Sequence, residues 1–97
     1  MSAEENKTIA IVLNVPGQTE EQQDQLYKEM EGAGLGNPKG RLYHVGCSKE
    51  DGIVVMEVWE SDELRNQFVR KLEPVLQKLG LPPAEPQIYP VHNIIKG

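Results

Sequence analysis

The most suggestive chemistry in the chain sits at alternate positions of one short segment, where Val55, Glu57 and Trp59 follow one another two residues apart. In an extended strand residues at that spacing share a face, so the carboxylate would stand between a branched aliphatic side chain and an indole. Roofed by helices, such a carboxyl loses water, its pKa rises, and it becomes able to exchange a proton near neutrality. The opposing reading is an edge carboxylate in solvent or paired with Arg41. Trp59 offers a flat face on which an aromatic molecule could stack, or else fills a core beneath a helix.

Other polar residues read two ways as well. His92, within Pro90-Val-His-Asn93, is either a second proton-transfer group or a structural histidine. Asn14 breaks an apolar segment ahead of Pro16 and either caps the turn or bonds a ligand. Under simple alternation Tyr43 shares the face of Trp59, while His44 falls on the opposite face as an interface or rim residue. Cys47, the single cysteine, has no basic neighbour fixed by sequence and reads as an inert thiol. No serine triad, phosphate loop, EF-hand loop or cluster of metal ligands occurs in the sequence.

The elements that must position these residues follow from pattern. Residues 8–15 (TIAIVLNV) are β-branched and apolar on both faces and stop at Pro16-Gly17, as a central strand does. Thr19-Glu-Glu-Gln22 is a capping box, and Leu26, Tyr27 and Met30 continue it as a narrow helical stripe. That stripe dies in the glycine-rich residues 32–40, a loop that would be mobile and the first place to look for a lid. Residues 41–48 and 53–60 read as a hairpin around Lys49-Glu-Asp-Gly52. Ser61 would cap a second helix with Leu64, Phe68, Leu72, Val75, Leu76 and Leu79 on one face. Pro74 should kink or split that helix, and Gly80 should end it. Residues 87–95 form a last strand, which Pro90 consigns to an edge or a bulge.

The resulting β-α-β-β-α-β order predicts an α+β, ferredoxin-like domain over residues 8–97, a four-stranded antiparallel sheet with both helices on one face, behind a disordered tail over residues 1–7. Two helices cover only one sheet face, yet the strands are apolar on both. A face-to-face homodimer would bury the other, and roughly 600 Å² of apolar area per subunit is worth on the order of 15 kcal/mol before association costs.

Composition narrows the field further. Ninety-seven residues make one domain, which buries about 65% of its unfolded surface and leaves little stability to spare. The formal net charge is -5, and the excess of acids lies within residues 1–31. No basic patch with interleaved aromatics appears, which argues against nucleic acid as a partner. Neither a signal peptide nor an apolar run able to span a membrane is evident, so the expected location is cytoplasmic with the thiol reduced.

Val58-Trp-Glu-Ser61, followed by Leu64 and Phe68, resembles the W-E-S signature of the dimeric α+β barrel superfamily, and within it the antibiotic-biosynthesis-monooxygenase-like (ABM) branch. The resemblance implies paired subunits whose sheets form a barrel, with a pocket between sheet and helices in each. Of the proteins that this chain resembles, some oxidise polycyclic phenols with oxygen and without metal or flavin, others degrade haem, and many have no known activity. Trp59 matches the tryptophan that lines the family pocket, whereas Val55 stands where the cofactor-free oxygenases often carry asparagine. Neither helix holds the histidine that haem would need. The expectation is thus a cofactor-independent monooxygenase acting on a small aromatic or apolar molecule. Glu57 and His92 would transfer protons, Trp59, Val55, Asn14, Phe68 and Tyr43 would line the pocket, and no metal would be bound. The alternative is a non-catalytic ligand-binding or homodimeric interaction module on the same scaffold.

Overall fold

The computed structural model describes residues 7–97, so the acidic segment expected as a tail lies almost wholly outside the described residues. The elements run β1 (Ile9–Pro16), α1 (Glu20–Gly32), β2 (Arg41–Lys49), β3 (Gly52–Trp59), α2 (Asp62–Leu79) and β4 (Pro86–Pro90). They build one antiparallel sheet in the order β2-β3-β1-β4, the ferredoxin-like α+β arrangement that the element order predicts. β4 is an edge strand, where a proline costs no ladder bond on its outer side. It is also shorter than the sequence suggests, ending at Pro90 and leaving residues 91–97 outside the sheet.

Local chemistry sets both helix starts. At α1 the capping box closes in both directions, with the Gln22 amide donating to Thr19 Oγ1 at 3.1 Å and the Thr19 amide to Gln22 Oε1 at 3.0 Å. At α2 the Leu64 amide donates to Ser61 Oγ at 3.2 Å. Gly80, at φ 68°, supplies the left-handed residue that turns the chain out of α2. Pro74 neither splits nor ends the helix, which continues through it as one element to Leu79. The glycine-rich connection after α1 is anchored as well. Leu35 is buried in the core, and Arg41 Nη2 donates to the Gly36 carbonyl at 3.0 Å, which is a poor design for a free lid.

The core lies between the helices and one sheet face, where Ile9, Ile11, Leu26, Met30, Leu35, Trp59 and Phe68 pack together. Trp59 is fully buried, its ring centroid 5.2 Å from that of Phe68. Among the described residues no helix lies on the opposite sheet face. Val12, Val45, Met56, Val54, Val58 and Tyr43 form a continuous apolar surface there across three strands, with Val45 51% and Met56 43% exposed.

β2 departs from simple alternation in one place. Arg41 pairs with Trp59 while Tyr43 pairs with Val58, so Leu42 is an extra residue and the ladder carries a β-bulge. Beyond it the pairing is regular, His44 with Glu57 and Gly46 with Val55. From Tyr43 onward the faces are the reverse of those expected, because Lys49 pairs with Gly52 across the turn and this register sets His44 opposite Glu57. His44, Gly46 and Ser48 point toward the helices, and Tyr43, Val45 and Cys47 point away from them.

Candidate functional site

Glu57 is buried to 8% exposure on the helix-facing side of β3, and each of its oxygens is bonded. Trp59 Nε1 donates to Oε1 at 2.9 Å, and His44 Nδ1 lies 2.7 Å from Oε2. The other ring nitrogen of His44, Nε2, lies 2.7 Å from the hydroxyl of Tyr27 on α1, and Gln23 Nε2 donates to that hydroxyl at 2.7 Å. Five side chains from three elements thus form one chain of hydrogen bonds, Gln23–Tyr27–His44–Glu57–Trp59.

The donor directions close without conflict. An ionised carboxylate only accepts, so Nδ1 of His44 carries the hydrogen it gives to Glu57. In a neutral imidazole Nε2 is then the acceptor, and Tyr27 donates to it while accepting from Gln23. Electrostatics agree. Burial alone would push Glu57 up, but the hydrogen bonds from His44 and Trp59, with the charge of Arg41 and that of His44 when its ring is protonated, outweigh it and hold the carboxyl below its ordinary 4.5. The raised value anticipated from desolvation is therefore reversed. Burial, the largest influence on Tyr27, pushes its phenol above 10.0 and keeps it protonated.

This network faces a cavity of about 130 Å³ between the sheet and both helices. Tyr27, His44, Glu57 and Gln23 supply its polar end, and Val55, Phe68, Leu72 and Leu76 are among its apolar lining. Its size approaches that of an engineered apolar cavity of roughly 150 Å³ that admits benzene, which is room for about one aromatic ring. Gln18 also lines it, and its Oε1 is buried without a hydrogen-bond partner.

Of the residues singled out from sequence, Glu57, Val55 and Phe68 line this cavity. Trp59 lies beneath it, sealed by Phe68, and reaches it only through its bond to Glu57. Asn14 is exposed and accepts from Lys49 Nζ at 3.3 Å. Tyr43 is on the outer sheet face, and His92 is exposed beyond the end of β4; neither lines the cavity. Arg41 bonds the Gly36 carbonyl rather than pairing with Glu57.

Sequence reasoning missed three participants. Gln23 and Tyr27 are four residues apart on the stripe that includes Leu26 and Met30, so the spacing put a polar pair on the buried face of α1. For His44 the signal lay in the turn: with Lys49 opposite Gly52, counting back along both strands sets His44 opposite Glu57, which alternation counted from one end of the hairpin overlooked. No group of three or more His, Cys, Asp or Glu placed to hold a metal ion occurs among the described residues, and no described helix is long and apolar enough to cross a membrane.

Solved structures of antibiotic biosynthesis monooxygenases share this ferredoxin-like arrangement and superpose on nearly the whole chain. SnoaB, a cofactor-independent oxygenase from Streptomyces nogalater, matches with a TM-score of 0.68 at 11% identity, over 94% of this chain and 99% of its own. The monooxygenase from the gene ActVA-Orf6 of Streptomyces coelicolor, solved with the ligand Nanaomycin D, gives 0.59 at 19% identity, over 96% and 94%. A conserved protein from Methanosarcina mazei Go1 gives 0.60 at 15% identity, over 90% and 95%. These identities establish a shared fold. No protein-family profile matches the sequence, and no curated protein does.

Proposed function

We propose that the chain binds a one-ring hydroxy-aromatic molecule in the cavity between sheet and helices and removes its hydroxyl proton through Tyr27, His44 and Glu57. The observation that carries this reading is the bond from Tyr27 to His44 Nε2, backed by the bond from His44 Nδ1 to a buried carboxylate. A ligand hydroxyl hydrogen-bonded to Tyr27 Oη would pass its proton to that oxygen as Tyr27 passes its own to Nε2. One ligand O–H and one phenol O–H break, while one O–H and one N–H form. The products are a ligand anion and an imidazolium held against Glu57, a charge pair that the buried carboxylate stabilises.

The anion is the electron-rich form of such a ring. With molecular oxygen as co-substrate, one oxygen atom would enter the ring and the other would leave as water, taking up two hydrogens from the substrate. The Streptomyces nogalater oxygenase, which shares the fold, supports this assignment as a cofactor-independent monooxygenase. The apolar lining of Val55, Phe68, Leu72 and Leu76 suits a ring. Two such sheets would pack through the face bearing Val45 and Met56 to form a homodimer, since that apolar surface has no helix over it.

Oxygen uptake with a panel of phenols and hydroquinones tests the reaction. Tyr27→Phe should lower kcat by roughly 10²-fold or more, the usual worth of a positioned acid–base group. Uptake indistinguishable between the variant and the parent would remove the relay from the chemistry. A binding module without turnover is the second reading, and the cavity's size favours it, being below the roughly 300–1,000 Å³ common for ligand pockets. Saturable binding of these compounds without oxygen uptake would select it.

A further inference from the structure

Tyr27 and His44 are walls shared by two spaces. On one side is the cavity; on the other an outer cleft of about 360 Å³ opens between the start of α1 and the far half of β2. Gln23, Tyr27 and His44 line both. His44, 20% exposed, is the most accessible member of its ion pair with Glu57. The cleft adds Glu20, Asp24, Gly46, Cys47 and Ser48, and Ser48 Oγ donates to a Glu20 carboxylate oxygen across its rim.

Gly46 sets this opening. It lies on the helix-facing side of β2, pairs with Val55, and is itself exposed. A Cβ at that position would come within 3.0 Å of the Tyr27 hydroxyl oxygen and within 4 Å of no other non-neighbouring atom. The hydroxyl therefore reaches the floor of a gap that exists because residue 46 has no side chain.

We propose that this outer cleft is the route by which a proton taken from a ligand leaves the cavity, with Gly46 as the positioning residue that keeps it open. The proposal rests on the proton-removing role given to Tyr27 and His44 above. Once the imidazolium forms, a water in the cleft replaces Tyr27 Oη as the partner of Nε2, the Nε2–H bond breaks, a hydronium forms there, and the ring returns to its neutral state. The ligand anion stays in the apolar cavity, and charge and proton separate to opposite sides of the Tyr27–His44 wall. The titratable and charged groups facing His44 are Glu57 on β3, Tyr27, Glu20 and Asp24 on α1, and Arg41 on its own strand; Cys47 borders the cleft from the other sheet face.

The test separates the route from the role. Exchange of the His44 ring carbon hydrogen in deuterium oxide, read by mass spectrometry, requires solvent at the imidazole. Filling the cavity with para-nitrophenol should leave the exchange half-time unchanged, whereas Gly46→Leu should lengthen it severalfold. Slowing by para-nitrophenol with no effect of Gly46→Leu would place solvent access through the cavity mouth and overturn the proposal.

A second arm needs no phenol. Imidazole added to His44→Gly should shift the amide resonances of Cys47 and Ser48 and leave those of Leu72 and Leu76 in place; the reverse pattern would overturn it equally. The proton-removing role has its own readout, because bound para-nitrophenol turns yellow only as its anion. Bound ligand that stays colourless in the parent protein would defeat that role, while the exchange result would still say which side of the wall meets solvent.

Discussion

The two faces of the sheet depart from a simple globule in different ways. The layer between one face and the helices holds, within its apolar core, the carboxylate of Glu57, the imidazole of His44, the phenol of Tyr27 and the amide of Gln23. The face without helices presents Val45, Met56, Val54 and Val58. Inside, the polar groups cost little because each is bonded to the next, from Gln23 to Trp59. Outside, the apolar groups are exposed because no described residue covers them. Burial is thus governed by what each group can pair with, and the comparison teaches that polar groups can be buried where they are bonded while apolar ones stay exposed where they lack a cover.

The inner face should be the fragile one. Trp59→Ala removes a fully buried ring, its packing on Phe68 and a donor to Glu57, and should cost about 3–5 kcal/mol in urea unfolding. A loss under about 1 kcal/mol would mean that the core does not depend on this ring. His44→Ala deprives a buried carboxylate of its partner and should cost about 1–3 kcal/mol, part of which a second change, Glu57→Gln, restores by leaving no charge buried.

Acid should expose the same dependence. Glu57 is held below its ordinary 4.5 in the folded chain, so its contribution to stability is complete above that value and is lost as pH falls through the lower folded one. Stability measured against pH should therefore drop less steeply on the acid side in Glu57→Gln, and matching slopes would contradict the network. Tyr27→Phe, deleting one hydroxyl shared by Gln23 and His44, should cost about 1 kcal/mol.

The outer face should respond in the opposite sense. Met56→Glu should change the stability of a single chain by no more than about 0.5 kcal/mol, as exposed substitutions do. It should nonetheless convert a dimer to a monomer in light scattering. A parent protein that is already monomeric at micromolar concentration would remove the self-pairing half of the comparison.

How legible this was depended on the range of the interaction involved. The helix starts at Thr19 and Ser61, the edge placement of β4 and the order of elements follow from local rules, and the sequence carries them plainly. The Trp59–Glu57 relation was half legible, since alternation puts both on one face but does not say that one donates to the other. Pro74 was misleading because the helix accommodates it within a continuous element. The faces of β2 were misread because alternation has a phase as well as a period. The pairing of Lys49 with Gly52 at the turn sets that phase for the strand back to Tyr43. His92 and Asn14 looked chemical by type, yet exposure and position leave them away from the cavity.

The tight turn between β2 and β3 has a consequence for how proteins of this shape diverge. Lys49 pairs with Gly52 across it, and one residue more or fewer between them would carry His44 to the side now held by Tyr43 and Val45 and bring those two under the helices. A single codon gained or lost in that turn can therefore exchange the lining of the interior for the lining of the exterior while every remaining amino acid stays the same. Two chains of this shape with nearly identical composition can differ in chemistry by parity alone, and a comparison that scores residue types without counting them will not see it.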